Sequence, residues 1–236
     1  MVVFTVWNNK DYEGMIVINK ICYIIAACKE NFDTISFKPQ KGDMVIAADG
    51  GYDLLKEINI DADILLGDFD SIQKIPEHKH IIKHPVQKDD TDTFLAYKLA
   101  MEKGYRNFVI FGGIGGRIDH TIANIRMLSD IAENGGRAFL LGSGAVLTAI
   151  SDTKITFPEH YSGYISVFAN GKDAEGVSIN GLKYAADNIS LKSSISLGVS
   201  NEFVGERAEI SVKDGNLLVV WYQSIVDFLK NIDNII

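Results

Sequence analysis

Residues 106–121 read RNFVIFGGIGGRIDHT: an apolar run from Phe108 to Phe111, four glycines within the next five positions, then a charged start to helical spacing. A continuous apolar run that ends in glycines and leads into a helix is the pattern of a parallel strand buried on both faces. Four further runs share it: ICYIIAAC (21–28), DMVIAAD (43–49), ADILLGD (62–68) and RAFLLG (137–142). Helical spacing fills the intervals, most clearly over 91–103 and 119–134. Gly104 and Gly135 follow these two segments, as expected just beyond a helix end. Ile21 to about Leu141 is therefore expected to form an α/β domain with a mainly parallel sheet.

From about Thr148 the texture changes to short alternating segments: KITFP (154–158), YISVFAN (164–170), GVSING (176–181), ISLKSS (189–194) and AEISVKDGNLLVVWY (208–222). These predict an all-β sandwich, with Asp214-Gly215 as a hairpin turn because both of its central positions favour positive φ. The expected domains are 1–147, α/β with an N-terminal extension of about twenty residues that adds a strand or hairpin, and 148–236, the β-sandwich. Trp221 and Tyr222 read as core and interface aromatics. The amphipathic tail IVDFLKNIDNII (225–236) is expected to dock on the β-domain.

At 236 residues, 47% hydrophobic and 23% charged, the chain has the composition of a globular protein with a substantial core. A net charge of −8 without a basic stripe argues against a nucleic-acid partner. No run reaches the ~18 apolar residues of a membrane span, and the N-terminus lacks a signal-like segment. A cytoplasmic enzyme is expected, with Cys22 and Cys28 as buried free thiols.

Several apolar runs end in acidic residues or glycines: IAADGG (46–51), LLGDFDS (65–71) and FGGIGGRIDH (111–120). Ligands of such folds bind at the carboxyl ends of strands. Asp68 and Asp70 lie two apart, so on an extended chain both side chains point the same way and can share a cation. Carboxylates completed by water and substrate phosphates suit magnesium, although a solvated Asp-rich turn has the same sequence. Asp89, Asp90, Thr91 and Asp92 crowd a helix start, where capping explains part of the pattern. Asp92 has helical spacing to Leu95, Ala96 and Leu99 and is expected to face the domain. The glycines of 112–116 allow backbone N–H groups to approach a phosphate, and Arg117 adds a cation, although a tight structural turn also needs glycines. A carboxylate cluster beside a glycine-arginine loop describes a nucleotide-dependent phosphoryl or pyrophosphoryl transferase.

The blocks ADGG (48–51), LGDFDS (66–71), KDDTDTFLA (88–96), GGIGGRIDHTIAN (112–124), GLKY (181–184) and LGVSNEF (197–203), in this order, closely resemble the thiamine pyrophosphokinase family. The resemblance implies a nucleotide-binding α/β domain, a C-terminal β-sandwich and a homodimer holding thiamine between subunits. It implies a reaction of ATP with thiamine that gives thiamine diphosphate and AMP. By motif, Asp68, Asp70 and Asp92 look like the magnesium ligands, with Asp49 close by. Lys88 and Thr91 would line the phosphate and thiamine path. Gly112, Gly113, Gly116, Arg117, Asp119 and His120 occupy a second nucleotide or substrate loop. Ser200 and Asn201 match the segment through which the β-domain reaches thiamine. The proton acceptor is Asp92 or Asp119.

Two other readings compete. A magnesium-dependent phosphatase would use DFDS as an aspartyl nucleophile, and a nucleotide-binding module would bind without turnover. His78, His80 and His84 invite a zinc site, but with no completing ligand they read as a polar connecting loop.

Overall fold

The computed structural model describes residues 3–5, 20–29, 37–68, 78, 80–83 and 90–232. These fall into two compact units, one comprising Gly14–Asn124 and Phe139–Gly144, the other Met1–Glu13, Ile125–Ala138 and Ala145–Ile236. In chain order the elements are β1 (Val3–Thr5), β2 (Ile21–Ile25), β3 (Met44–Ala48), α1 (Gly51–Glu57), β4 (Ile64–Gly67), β5 (Ile81–Lys83), α2 (Asp92–Glu102), β6 (Asn107–Phe111), α3 (Ile118–Glu133) and β7 (Arg137–Gly142). There follow β8 (Ala145–Ser151), β9 (Lys154–Phe157), β10 (Tyr164–Ala169), β11 (Ala174–Asn180), β12 (Ala186–Leu191), β13 (Gly198–Glu202), β14 (Ala208–Ser211), β15 (Asn216–Tyr222) and α4 (Ile225–Lys230).

The first unit is the expected α/β domain. Its strands run in the order β7-β6-β2-β3-β4-β5, and the β6–β2, β2–β3, β3–β4 and β4–β5 pairs are parallel. Ile24, Ile46 and Phe108 to Phe111 have no exposure, which is why these runs carry no polar alternation. Chain order reverses between β2 and β6, which marks the carboxyl ends of these strands as the edge where such sheets take ligands. Helix α2 packs on β2, β3 and β4 through Thr93, Ala96, Tyr97 and Ala100, with Tyr97 edge-on to Phe108 at 5.6 Å. Of the expected face of Leu95, Ala96 and Leu99, Ala96 lies on that stripe while Leu95 and Leu99 are half-buried beside it, as is Asp92 at its margin.

Two expectations change here. The HKHIIKH stretch (78–84), read as a loop, contains β5, whose Ile81 and Ile82 pair with Leu65 and Leu66. His78 Nε2 lies 2.8 Å from the Ala62 carbonyl, which gives one of the histidines a structural partner. Of the two thiols, Cys22 is fully buried but Cys28 only half so, because Cys28 lies past the end of β2.

In the second unit β1-β9-β14-β11-β12 form one antiparallel sheet, and β13, β10, β15 and β8 pair antiparallel in that order. Phe157 from the first and Trp221 from the second meet edge-to-face at 5.2 Å, both without exposure, so the two inner faces share an aromatic core. Phe228 of α4 packs 6.3 Å from Trp221, as the amphipathic tail predicts. Tyr222, one residue on, is exposed.

The Asp214-Gly215 hairpin does not form. Strand β14 already has β9 and β11 on its two edges, while β15 pairs with β8 and β10, so the chain crosses between sheets at this turn. Only Gly215 takes positive φ, at 100°, and the Asp214 carbonyl instead accepts the Glu175 N–H at 2.8 Å.

Candidate functional site

Four parallel strands deliver their carboxyl ends to one edge. The Ala26 N–H donates to the Phe111 carbonyl at 2.8 Å and the Cys28 N–H to the Gly112 carbonyl at 3.0 Å, tying the exits of β2 and β6 together. The Asp49 N–H donates to the Leu66 carbonyl at 2.8 Å and does the same for β3 and β4. Asp49 takes φ of 49°, a left-handed conformation that Asp tolerates better than most residues. Asp68 is the first residue past β4 and is half-buried. Because β5 and β6 both run parallel to the strands between them, a helix that connects them must begin at the carboxyl edge. Thr91 and Asp92 at the N-terminus of α2 therefore share that edge with Asp49 and Asp68.

The Thr91 hydroxyl caps α2 by accepting the Phe94 N–H at 3.2 Å. Asp70 and Lys88, two of the expected site residues, lie outside the described residues.

The glycine loop is held from several sides. Gly112 takes φ of 65°, and a Cβ there would sit 2.3 Å from the Ala26 carbonyl oxygen, so the close approach of this loop to the end of β2 requires glycine. Buried Asn124 reaches back from α3 to donate to the Gly113 carbonyl at 2.9 Å, and the Gly115 N–H donates to Thr121 Oγ1 at 3.1 Å. Arg117 forms a two-pronged pair with Asp119, Nε to Oδ1 at 3.2 Å and Nη2 to Oδ2 at 2.5 Å. The guanidinium beside it holds the Asp119 carboxyl below its usual range. Arg117, Asp119 and His120 are exposed, while Gly116 approaches the Cys28 thiol.

Among the described residues, no three Asp, Glu, His or Cys side chains come close enough to hold a metal ion as a protein-only cage. Asp49, Asp68 and Asp92 supply hard carboxylate oxygens, a donor set that fits magnesium, which takes one or two carboxylates and fills its shell with water and substrate phosphates.

The remaining expected residues lie in the second unit. Ser200 on β13 is exposed, takes φ of 58° and donates its N–H to Ser166 Oγ at 3.1 Å. Asn201 is buried and spends its amide on the backbone of Tyr184 and Glu202. A cleft of about 550 Å3 in this unit is lined by Arg126, Ser129, Asp130, Glu133, Asn170 and Asn216 among others, and includes none of the candidate residues.

Ala26 to Cys28 was not anticipated as part of the edge. The segment carries no charge, and only the glycine pattern at 112–116, which needs a backbone to approach, hints at a neighbour.

The pattern of the thiamin pyrophosphokinase catalytic domain matches residues 39–140, and that of the thiamin pyrophosphokinase vitamin B1 binding domain matches 152–217. Over 162 residues the chain is 28% identical to the thiamine pyrophosphokinase of Bacillus subtilis, covering 65% of this chain and 75% of that protein. It is 25% identical over 169 residues to thiamin pyrophosphokinase 1 of Caenorhabditis elegans, covering 66% and 68%. The crystal structure of the Bacillus subtilis protein superposes with a TM-score of 0.75 at 25% identity, over 86% of this chain and 99% of that one. Yeast thiamin pyrophosphokinase shares the fold, with a TM-score of 0.65 at 17% identity over 97% and 99% of the two chains.

Proposed function

The chain belongs to the thiamin pyrophosphokinase family, and from that premise we propose how its residues carry the reaction. It is a thiamine diphosphokinase, transferring the pyrophosphoryl group of ATP to the hydroxyl of thiamine to give thiamine diphosphate and AMP. The observation that carries this assignment is that both halves match in order. The catalytic match at 39–140 encloses Asp49, Asp68, Asp92 and the glycine loop, and the vitamin B1 match at 152–217 encloses Ser200 and Asn201. The proposed functional division is 1–147 and 148–236, with the N-terminal strand β1 pairing β9 and so grouping with the second unit.

We assign the polyphosphate to the carboxyl edge of the parallel sheet, where backbone N–H groups of the loop holding Gly112, Gly113 and Gly116 would meet it and Arg117 brings positive charge. Asp68, Asp70 and Asp92 are the proposed magnesium ligands, with Asp49 acting through water. Magnesium held there would neutralise phosphate charge; the thiamine hydroxyl attacks the β-phosphorus in line, and the bond to the α-phosphate oxygen breaks to release AMP. Lys88 and Thr91 line the path of the transferred group, and Asp119 and His120 close the glycine loop. Asp92 or Asp119 is the proposed acceptor of the hydroxyl proton: the Arg117 guanidinium weakens Asp119 as a base, as a bound cation would weaken Asp92. Ser200 and Asn201 belong to the segment that meets thiamine. Positioning supplies most of the acceleration.

A homodimer is proposed from the exposed Ile195, Leu197 and Val199 before and on edge strand β13, which a second subunit would cover. A cytoplasmic location is part of the same proposal; among the described residues no helix is long and apolar enough to cross a membrane. The test is AMP release from ATP with and without thiamine: strict thiamine dependence is expected, and thiamine-independent release of inorganic phosphate would instead indicate a phosphatase.

A further inference from the structure

Helix α3 carries Arg126, Ser129, Asp130 and Glu133 at the spacing of one helical stripe, and all four line the cleft of about 550 Å3, together with Asn170 and Asn216. Every residue that lines it belongs to the second unit. On β10, Ile165 pairs with the candidate residue Asn201, whereas Ala169, next to Asn170, pairs with Leu217, next to Asn216. Four residues of strand separate the two positions by about 13 Å. The cleft therefore sits at the other end of β10 from Ser200 and Asn201.

The amide donors around the cleft are spent. Asn170 Nδ2 donates to Ser129 Oγ at 2.8 Å, and the Asn170 N–H donates to the Asn216 carbonyl at 3.0 Å. Asn216 Nδ2 donates to Glu133 Oε1 at 2.5 Å, which fixes the amide, since a flip would set its oxygen against the carboxylate. What is left over is an acceptor. Asn216 is 4% exposed, and among the described residues its buried Oδ1 makes no hydrogen bond. A buried carbonyl oxygen is costly to leave without a donor.

We propose that this cleft binds a small organic cation through a primary ammonium group, at a site separate from those for ATP and thiamine. Asp130 and Glu133 line it one turn apart, and with Arg126 the lining carries one net negative charge, which a single ammonium balances. Its N–H groups supply the donors that Asn216 Oδ1 and the carboxylates accept. An ammonium fits better than a metal ion, because among the described residues no three Asp, Glu, His or Cys side chains come close enough to hold one. A volume of about 550 Å3 is also that of a small-molecule cleft.

The test is isothermal titration calorimetry of the full chain, at constant ionic strength, with n-butylammonium and with n-butyltrimethylammonium, a cation of equal charge that has no N–H. One site per chain is expected, with the primary ammonium bound about tenfold or more tightly than the quaternary one. Glu133→Gln is expected to weaken n-butylammonium about tenfold while kcat and both KM values stay at wild type. Asn216→Ala should weaken it likewise, and if that variant does not fold, the exposed Glu133 still decides. Saturating thiamine is expected to leave the amine bound. Equal affinity for the two cations, unaltered binding in Glu133→Gln, or no saturable binding up to about 10 mM would overturn the proposal. So would displacement of the amine by magnesium chloride, which would indicate a metal site, or by thiamine, which would place the amine in the substrate site.

Discussion

The hydrogen bond from the Asp49 N–H to the Leu66 carbonyl, 2.8 Å long, brings Asp49 beside Gly67, where an added Cβ would lie 3.2 Å from the Asp49 Cα. Asp49 and Asp68 thereby leave adjacent strands at the same level. Asp68→Asn removes a charge without changing shape, so kcat for thiamine diphosphate formation is expected to fall about 100-fold or more with the melting temperature little changed. Product assay and thermal unfolding on the same preparation check this. Retained activity would remove Asp68 from the metal site.

Gly51 opens α1 directly against β2, and a Cβ there would stand 1.9 Å from the Ile25 carbonyl oxygen and 2.6 Å from its carbon. Backbone cannot yield as a side-chain tip does. Gly51→Ala is expected to destabilise the protein by about 3 kcal/mol in urea unfolding. Gly163→Ala, at φ of 84° but with nothing within 4 Å, should cost only about 1 kcal/mol of backbone strain.

Substitutions separate the two candidate proton acceptors. With Asp92 as the acceptor, Asp119→Asn is expected to raise KM for ATP about threefold to tenfold as Arg117 loses its anchor, leaving the acid limb of the kcat profile in place. Asp92→Asn is expected to lower kcat about 100-fold. An acid limb that moves in Asp119→Asn would make Asp119 the acceptor instead.

The parallel sheet was legible because its strands are buried on both faces: an unbroken ICYII or NFVIF admits few alternatives. Strand β5 was hidden because Ile81–Lys83 is only three residues, half-exposed and flanked by histidines. The Asp214-Gly215 turn misled because local turn chemistry cannot reveal that both edges of β14 are taken by β9 and β11, strands distant in sequence. At the site, Asp49 and Asp68 could be found as charges after apolar runs. The hydrogen bond from Asn201 to Tyr184 spans 17 residues and leaves no periodic trace, so only the fold discloses it.

Asp173 gives the stability a readable acid dependence. Hydrogen bonds from Lys192 and then from the Ser193 N–H and hydroxyl lower its pKa from 3.8 to about 2. A depressed carboxylate stabilises the fold above its unfolded pKa and loses that contribution as pH falls through the folded one. The difference in melting temperature between wild type and Asp173→Asn should therefore be constant from neutral pH down to about 4–5, then shrink as pH falls toward about 2. A difference independent of pH over that window would contradict the hydrogen-bonded account.

Transfer of two phosphates in one step is the central claim, and 31P NMR of the wild-type enzyme with thiamine and ATP labelled with 18O at the β–γ bridge tests it most directly. The account predicts that thiamine diphosphate and AMP appear together in equal amounts and that the labelled bridge is carried intact into the product. Formation of ADP, of thiamine monophosphate as an intermediate, or loss of the bridging label would contradict it.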